Sequence, residues 1–329
     1  MAGKARRVID FTWWVQAGGY RWQELDSSEG QKILVRNQAD EVREYKPLQE
    51  NTGLFMSFAK LGPTEDAILS FANQYGSLYE DMACYGRPGQ EHFMAWRAEI
   101  WDLSSAVELW LLVRRGDIAK LADRIKWGEE EDGDPRTGDL RMEPFVAYMP
   151  PPPNPRKTQI ASSRLNSHLM KRFPTGNLLL PAMQHVRWLV NRRLKLHVSP
   201  KLNDDASGND PAKDFILQLE PKNLSGAIWL QFTQAVIGGK EFLECAGCHN
   251  WFEVPRGRFR KDKTVCSPRC RARVYRMRAD EANKMRSKGK TLPESAEAIG
   301  VPQKQVNKWL SISKRGEGKT HAKKTTRKR

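Results

Sequence analysis

The sequence predicts an α+β fold, mainly α, and three observations predict it. β-branched and aromatic runs broken by Gly and Ser crowd into the first 45 residues. Apolar residues spaced three and four apart dominate from there to about residue 240. The last quarter changes character, holding four of the five cysteines and the whole of the net positive charge.

Taken in order, Arg7–Val15, Tyr20–Leu25 and Lys32–Arg36 read as short strands. A first helix is expected over "GPTEDAILSFANQYG". Pro63 and acidic residues open it, Ala67, Ile68, Phe71 and Ala72 share a face, and Gly76 stops it. Gln90–Val113 is the longest periodic segment, with Phe93, Trp96, Ile100, Leu103, Val107, Trp110 and Leu111 stepping along one face. Gly116–Trp127 is expected to continue as a shorter helix. Gly128–Asp139, Met149–Pro155 and Asn203–Asp214 are rich in Gly, Pro, Asp and Asn, and read as loops. Leu178–Leu194 and Leu224–Ile237 read as helices, the second ended by Gly238-Gly239. Residues 1–240 are therefore expected to form one mainly helical N-terminal domain with short strands.

This body offers no recognisable catalytic constellation, and no enzyme is expected. His92, His168, His185 and His197 show no close pairing with carboxylates or with each other, and Cys84 reads as a lone buried thiol. Trp13, Trp14, Trp96, Trp101, Trp110 and Trp188 read as fillers of a helical core rather than as the lining of a ligand pocket. No apolar run approaches the ~20 residues of a membrane span, and no export signal is recognisable, so a cytoplasmic protein with no membrane partner is expected.

Charge divides the chain sharply. From Pro255 to Arg329 there are 24 Lys and Arg against 6 Asp and Glu, leaving 31 and 33 for the first 254 residues. A near-neutral body with a strongly basic end implies a polyanionic partner for that end alone.

Just before and within that end lie Cys245, Cys248, Cys266 and Cys270, in the pattern C-x2-C-x17-C-x3-C. The string Cys245-x-x-Cys248-His249 is also the attachment signature of a c-type haem, but a haem leaves the second pair unexplained. Disulfides need an oxidising compartment to which nothing here points. Two close pairs suit a tetrahedral Zn2+. The first pair comes from one tight turn, where Gly247 is expected to relieve backbone strain. The second opens a helix, with Ser267 as cap and Pro268 in its first turn, so that Cys266 and Cys270 lie one turn apart. Four cysteines leave no open position, so one structural Zn2+ per chain is expected, in a finger spanning 241–275. His249 is then a neighbour rather than a ligand.

The stretch "CAGCHNWFE…FRKDKTVCSPRCRARVYRMR" resembles the bacterial CGNR-type zinc fingers. The cysteine pairs, Phe252, Ser267 and the run Arg271, Arg273, Arg276, Arg278 carry the likeness, over roughly 35 residues. Where that family reads GNR, this chain has Arg271-Ala272-Arg273. The resemblance implies a helical N-terminal domain of the ABATE type and a role in transcription regulation.

A second module is expected over 276–312. In "GKTLPESAEAIGVPQKQVNKWLS", Ala296 is small where two helices would touch, and Gly300 sits in the turn four residues on. Ile299 and Val301 flank the turn, Val306 and Trp309 would anchor the second helix, and the helix entering from the finger would complete a three-helix core. This helix-turn-helix would expose Gln303, Lys304, Asn307 and Lys308, side chains suited to base edges and phosphates. Arg271, Arg273, Arg276, Arg278 and a disordered basic tail, 313–329, would contact phosphates. Duplex DNA is the expected partner and transcription regulation the expected role, nucleoid-associated in a bacterium. A homodimer or a bound ligand would fall to the N-terminal domain. RNA binding, or an enzyme acting on nucleic acid through an unrecognised N-terminal site, stand as the alternatives.

Overall fold

The computed structural model describes residues 11–25, 31–37, 41–79, 91–133, 140–204, 215–254 and 263–311. They mix helix and strand, as an α+β fold requires. The chain divides into two compact units, 1–242 with 253–256, and 243–252 with 257–329.

In the first unit, short antiparallel strands come first. β1 (Trp13–Gln16) pairs with β4 (Val42–Tyr45), and β2 (Tyr20–Glu24) with β3 (Lys32–Arg36). β3 also pairs with β5 (Glu91–His92). The short helices α1 (Pro47–Glu50) and α2 (Leu54–Ala59) precede α3 (Glu65–Tyr75), which starts where Thr64 accepts a hydrogen bond from the N–H of Ala67. The centre is α4 (Phe93–Arg115), which packs against α2 and, together with α8 (Leu224–Gly238), flanks α7 (Leu179–His197).

Burial explains that arrangement. Trp96, Trp110, Trp229, Phe55, Phe58 and Phe232 are all buried, and Phe55, Trp110 and Phe232 meet ring against ring. α8 is buried almost all round, as a continuously apolar helix must be. Trp13, Trp96, Trp101 and Trp110 are the core fillers expected of them, and Trp14 is partly buried. Trp188 departs from that expectation. It is 44% exposed, stacked on His185 and covered by Arg192.

Several strands correct the reading from sequence. The helix expected over Gly116–Trp127 covers only Ile118–Arg124 (α5). At Ile125 the chain turns into β6 (Ile125–Gly133), which takes the first half of the acidic stretch read as a loop. β6 pairs along its full length with β7 (Leu140–Tyr148), which pairs in turn with β8 (Thr158–Ser162), leading into α6 (Ser163–Met170). Likewise β9 (Val198–Asp204), which takes the first two residues of the expected loop Asn203–Asp214, pairs with β10 (Phe215–Pro221); residues 205–214 lie outside the described residues. A ladder supplied by a distant strand outweighs weak local β-propensity. Met149–Pro155 is irregular, as read. Cys84, the start of the first expected strand and the basic tail lie outside the described residues.

The second unit takes Leu243–Phe252 from the hairpin of β11 (Glu241–Glu244) and β12 (Trp251–Val254). α9 (Pro268–Ser287) follows, then α10 (Leu292–Ile299) and a last helix, α11, over 303–311. α9 is continuous from the cysteine cluster into a small core formed by Ala282, Ala296, Val306, Trp309 and Leu310. Leu292, Ile299 and Val301 pack against that core. α10 opens on a capping box, Thr291 with Glu294, and closes at Gly300, whose φ of 70° is the left-handed value that favours glycine.

Candidate metal centre and nucleic-acid interface

Cys245 and Cys248 come from the turn between β11 and β12, and Cys266 and Cys270 from the start of α9. The turn closes on itself, with the N–H of His249 donating to the carbonyl of Cys245 at 2.8 Å and the N–H of Cys245 to that of Asn250 at 3.0 Å. Ser267 caps α9 as expected, accepting from the N–H of Cys270 at 3.2 Å. The four Sγ atoms then lie within 4.8 Å of one another. Cys248 and Cys266 are 3.7 Å apart, and Cys266 and Cys270 3.5 Å. These separations are far beyond the ~2.05 Å of a disulfide and leave room for a metal ion at the centre. Cys245 and Cys270 are buried, so the cluster is closed on that side.

Electrostatics favour a cation there. Burial pushes the Cys245 thiol up, but the N–H groups of Cys266 (3.3 Å) and Gly247 (3.4 Å) aim at its sulfur and bring it down to about 6. Burial and the crowding of the other sulfurs push Cys248 up to about 12, and Cys266 is raised by burial and by Cys270. Sulfurs this close cannot all ionise alone; a metal ion displaces their protons and relieves the conflict. The ring of His249 is exposed, with Nδ1 3.2 Å from Glu244 Oε1, and it stands outside the cluster.

The glycine in the turn is there for a different reason from the one its sequence suggests. The left-handed residue of the knuckle is His249, at φ 61°, and Gly247 has no positive φ. A Cβ on Gly247 would instead lie 2.9 Å from the carbonyl oxygen of Cys270 and 3.0 Å from its Cβ. Gly247 lets the turn close onto the first turn of α9.

The residues nominated for nucleic acid fall into separate groups. Gln303, Lys304, Asn307 and Lys308 are all exposed, while Val306, Trp309 and Leu310 are buried. At about 100° per residue the four exposed side chains span an arc of roughly 140°, opposite the buried ones. The arginines of α9 are exposed too, but they do not share one face. Arg271 and Arg278, seven residues apart, line a groove facing α11. Arg273 and Arg276 point away from it, by roughly 140–200° around the helix.

Sequence reasoning missed a buried ion network in the first unit. Glu99, on α4, receives Ser225 Oγ at 2.7 Å and Trp229 Nε1 at 2.6 Å on one oxygen. The other takes Tyr79 OH at 2.9 Å and Arg193 at 2.6 Å. Arg193 also pairs with Asp102, which reaches Arg156 at 3.3 Å. Burial alone would raise Glu99, but Arg193 and the donors around it hold it below the usual carboxylate range. His197, which looked isolated in sequence, lies 3.3 Å from Asn223 and against the Tyr79 ring, and burial lowers its pKa. Protein donors occupy both oxygens of Glu99, so the network reads as a clamp between α4, α7 and α8. Its members lie far apart in the chain, and no local pattern could have announced them.

No family model, curated protein or solved structure matches this chain.

Proposed function

We propose that this chain is a DNA-binding protein acting in transcription regulation, with one structural Zn2+ and a helix-turn-helix that reads duplex DNA. The observation that carries this reading is α11. Its buried face is anchored in the three-helix core, while Gln303, Lys304, Asn307 and Lys308 stand free on the other. Helices anchored in this way present side chains to the major groove, where Asn and Gln suit adenine and Lys suits guanine or phosphate. Arg273 and Arg276, with the basic tail, supply phosphate contacts, which position without specifying.

Zinc is the metal that suits the cluster. A tetrahedron with Zn–S bonds of ~2.3 Å has edges of ~3.8 Å, close to the 3.5 and 3.7 Å separations. Cys245, Cys248, Cys266 and Cys270 would hold it, and a full set of thiolates leaves no position for catalysis. The likeness of the finger to the CGNR type agrees with this reading. RNA is the second reading, favoured by the exposed Tyr275 on α9, because aromatic rings stack on unpaired bases.

The test is to select preferred duplexes with the intact protein, then compare variants on selected and scrambled DNA and on RNA. Asn307→Ala and Lys304→Ala should each lower affinity for the selected duplex by about 1–3 kcal/mol and leave scrambled DNA nearly unaffected. Equal losses on both duplexes would remove α11 as the reading element. Metal analysis should return one zinc per chain.

A further inference from the structure

Arg271, Tyr275 and Arg278 stand at i, i+4 and i+7 of α9 and together line one open groove of about 570 Å3. Gln305 and Trp309 of α11 line it too, as does Lys263 from the segment before Cys266. The volume falls among those of small-ligand sites, ~300–1,000 Å3. Three lining side chains are cationic and no carboxylate lines it. Among the described residues, neither Arg271 nor Arg278 has a carboxylate partner. The groove is therefore built for an anion, and its aromatic content says which kind.

Tyr275 is 40% exposed, although it is flanked by the buried Trp309. The two rings meet edge to face, with centroids 5.5 Å apart at 82°, so they do not close over one another by stacking. The indole N–H of Trp309 has no acceptor among the described residues. A base needs an aromatic face and hydrogen-bonding edges; phosphates need cations. Arg271 and Arg278 are separated by about 10 Å of helix rise, too far for one phosphate but suited to phosphates on either side of one nucleotide. Gln305, partly buried beside Trp309 on α11 and Val301 just before it, carries both a donor and an acceptor.

We propose that this groove binds a single unpaired nucleotide, with its base against Tyr275, its edge at Gln305 and its flanking phosphates on Arg271 and Arg278. The proposal rests on the nucleic-acid reading of this unit and adds a demand that the exposed face of α11 does not make. Gln303, Lys304, Asn307 and Lys308 suit paired bases; the groove, on another side of α11, suits a base that has left its stack. Phosphates on both sides place the nucleotide in a bound strand; a free mononucleotide, with its single phosphate, is the competing occupant that the test separates.

The full-length, zinc-loaded protein would be titrated with a duplex, the same duplex carrying one bulged 2-aminopurine, and the matching RNA pair, with anisotropy reporting binding. The bulge should tighten binding by ~10-fold, in the range of base–aromatic stacking, and the 2-aminopurine fluorescence should fall as it stacks. Tyr275→Ala should abolish both effects and leave the perfect duplex bound, Tyr275→Phe should keep them, and Arg278→Gln should weaken them. Circular dichroism verifies that each variant is folded. Equal binding of bulged and perfect duplex, unmoved by Tyr275→Ala, would overturn the groove proposal and leave the nucleic-acid reading standing. Binding to neither would overturn that reading itself. Suppression of the bulge effect by micromolar AMP, with AMP binding lost in Tyr275→Ala, would overturn the strand-bound occupant in favour of a free mononucleotide.

Discussion

Gly247→Ala tests the metal centre where sequence and structure give different reasons for the same residue. The added methyl group would sit 2.9 Å from the carbonyl oxygen of Cys270 and 3.0 Å from its Cβ, both well inside ordinary van der Waals separation. Neither neighbour can swing away, since one is the backbone oxygen of Cys270 and the other is the Cβ fixed to that backbone. The turn must move back from α9, carrying Cys245 and Cys248 away from Cys266 and Cys270. Overpacking of this kind costs about 1–3 kcal/mol, which corresponds to a metal affinity about 5–150-fold weaker. Competition against a chromophoric chelator measures that loss directly. His249→Gly is the paired control. If left-handed backbone is all that position requires, glycine meets the requirement, and affinity should hold or rise slightly. Unchanged affinity in Gly247→Ala would refute the packing account. A large loss in His249→Gly would mean that the imidazole takes part in binding the metal.

Three further outcomes follow from burial, charge and linkage. Trp309→Ala, which empties a site only 4% exposed in a core of five residues, should cost about 3–5 kcal/mol. It should expose the amides of α10 and α11 to hydrogen exchange while the metal stays bound. His185 is buried against Tyr148 and Trp188, and burial lowers its pKa from 6.5 to about 4. The unfolded chain therefore binds its proton first, and the first unit should lose up to about 3 kcal/mol as pH falls from 6.5 to 4. His185→Phe keeps the stacked ring and should flatten urea-denaturation stability over that window, leaving the part due to His197, whose pKa is also lowered. Deleting Ser313–Arg329 should weaken binding to every duplex alike and reduce the salt slope by about 0.9 for every phosphate the tail neutralises; an unchanged slope would make the tail a solubiliser.

Whatever depends on near neighbours can be read from the amino-acid order. Ser267 and Pro268 start α9, Thr291 and Gly300 bound α10, and the 3.6-residue period gives α4, α7 and α8, because each signal acts within a turn or two of helix. The cysteine spacing likewise announced that the four cysteines meet, since each close pair is formed by one short piece of backbone. Everything else waited on folding, which joins segments that no local signal connects. The Gly- and Glu-rich stretch of β6 is a strand because β7 supplies its ladder, and β9 depends on β10 in the same way. Glu99, Asp102 and Arg193 became a network only when α4 met α7. The arginines of α9 form one run in the sequence, yet only two of them line the groove, because helix phase and the position of α11 choose which. Gly247 shows the division within a single residue: its identity was legible in the sequence, but its reason lies in Cys270, 23 positions away, whose backbone leaves no space for a side chain.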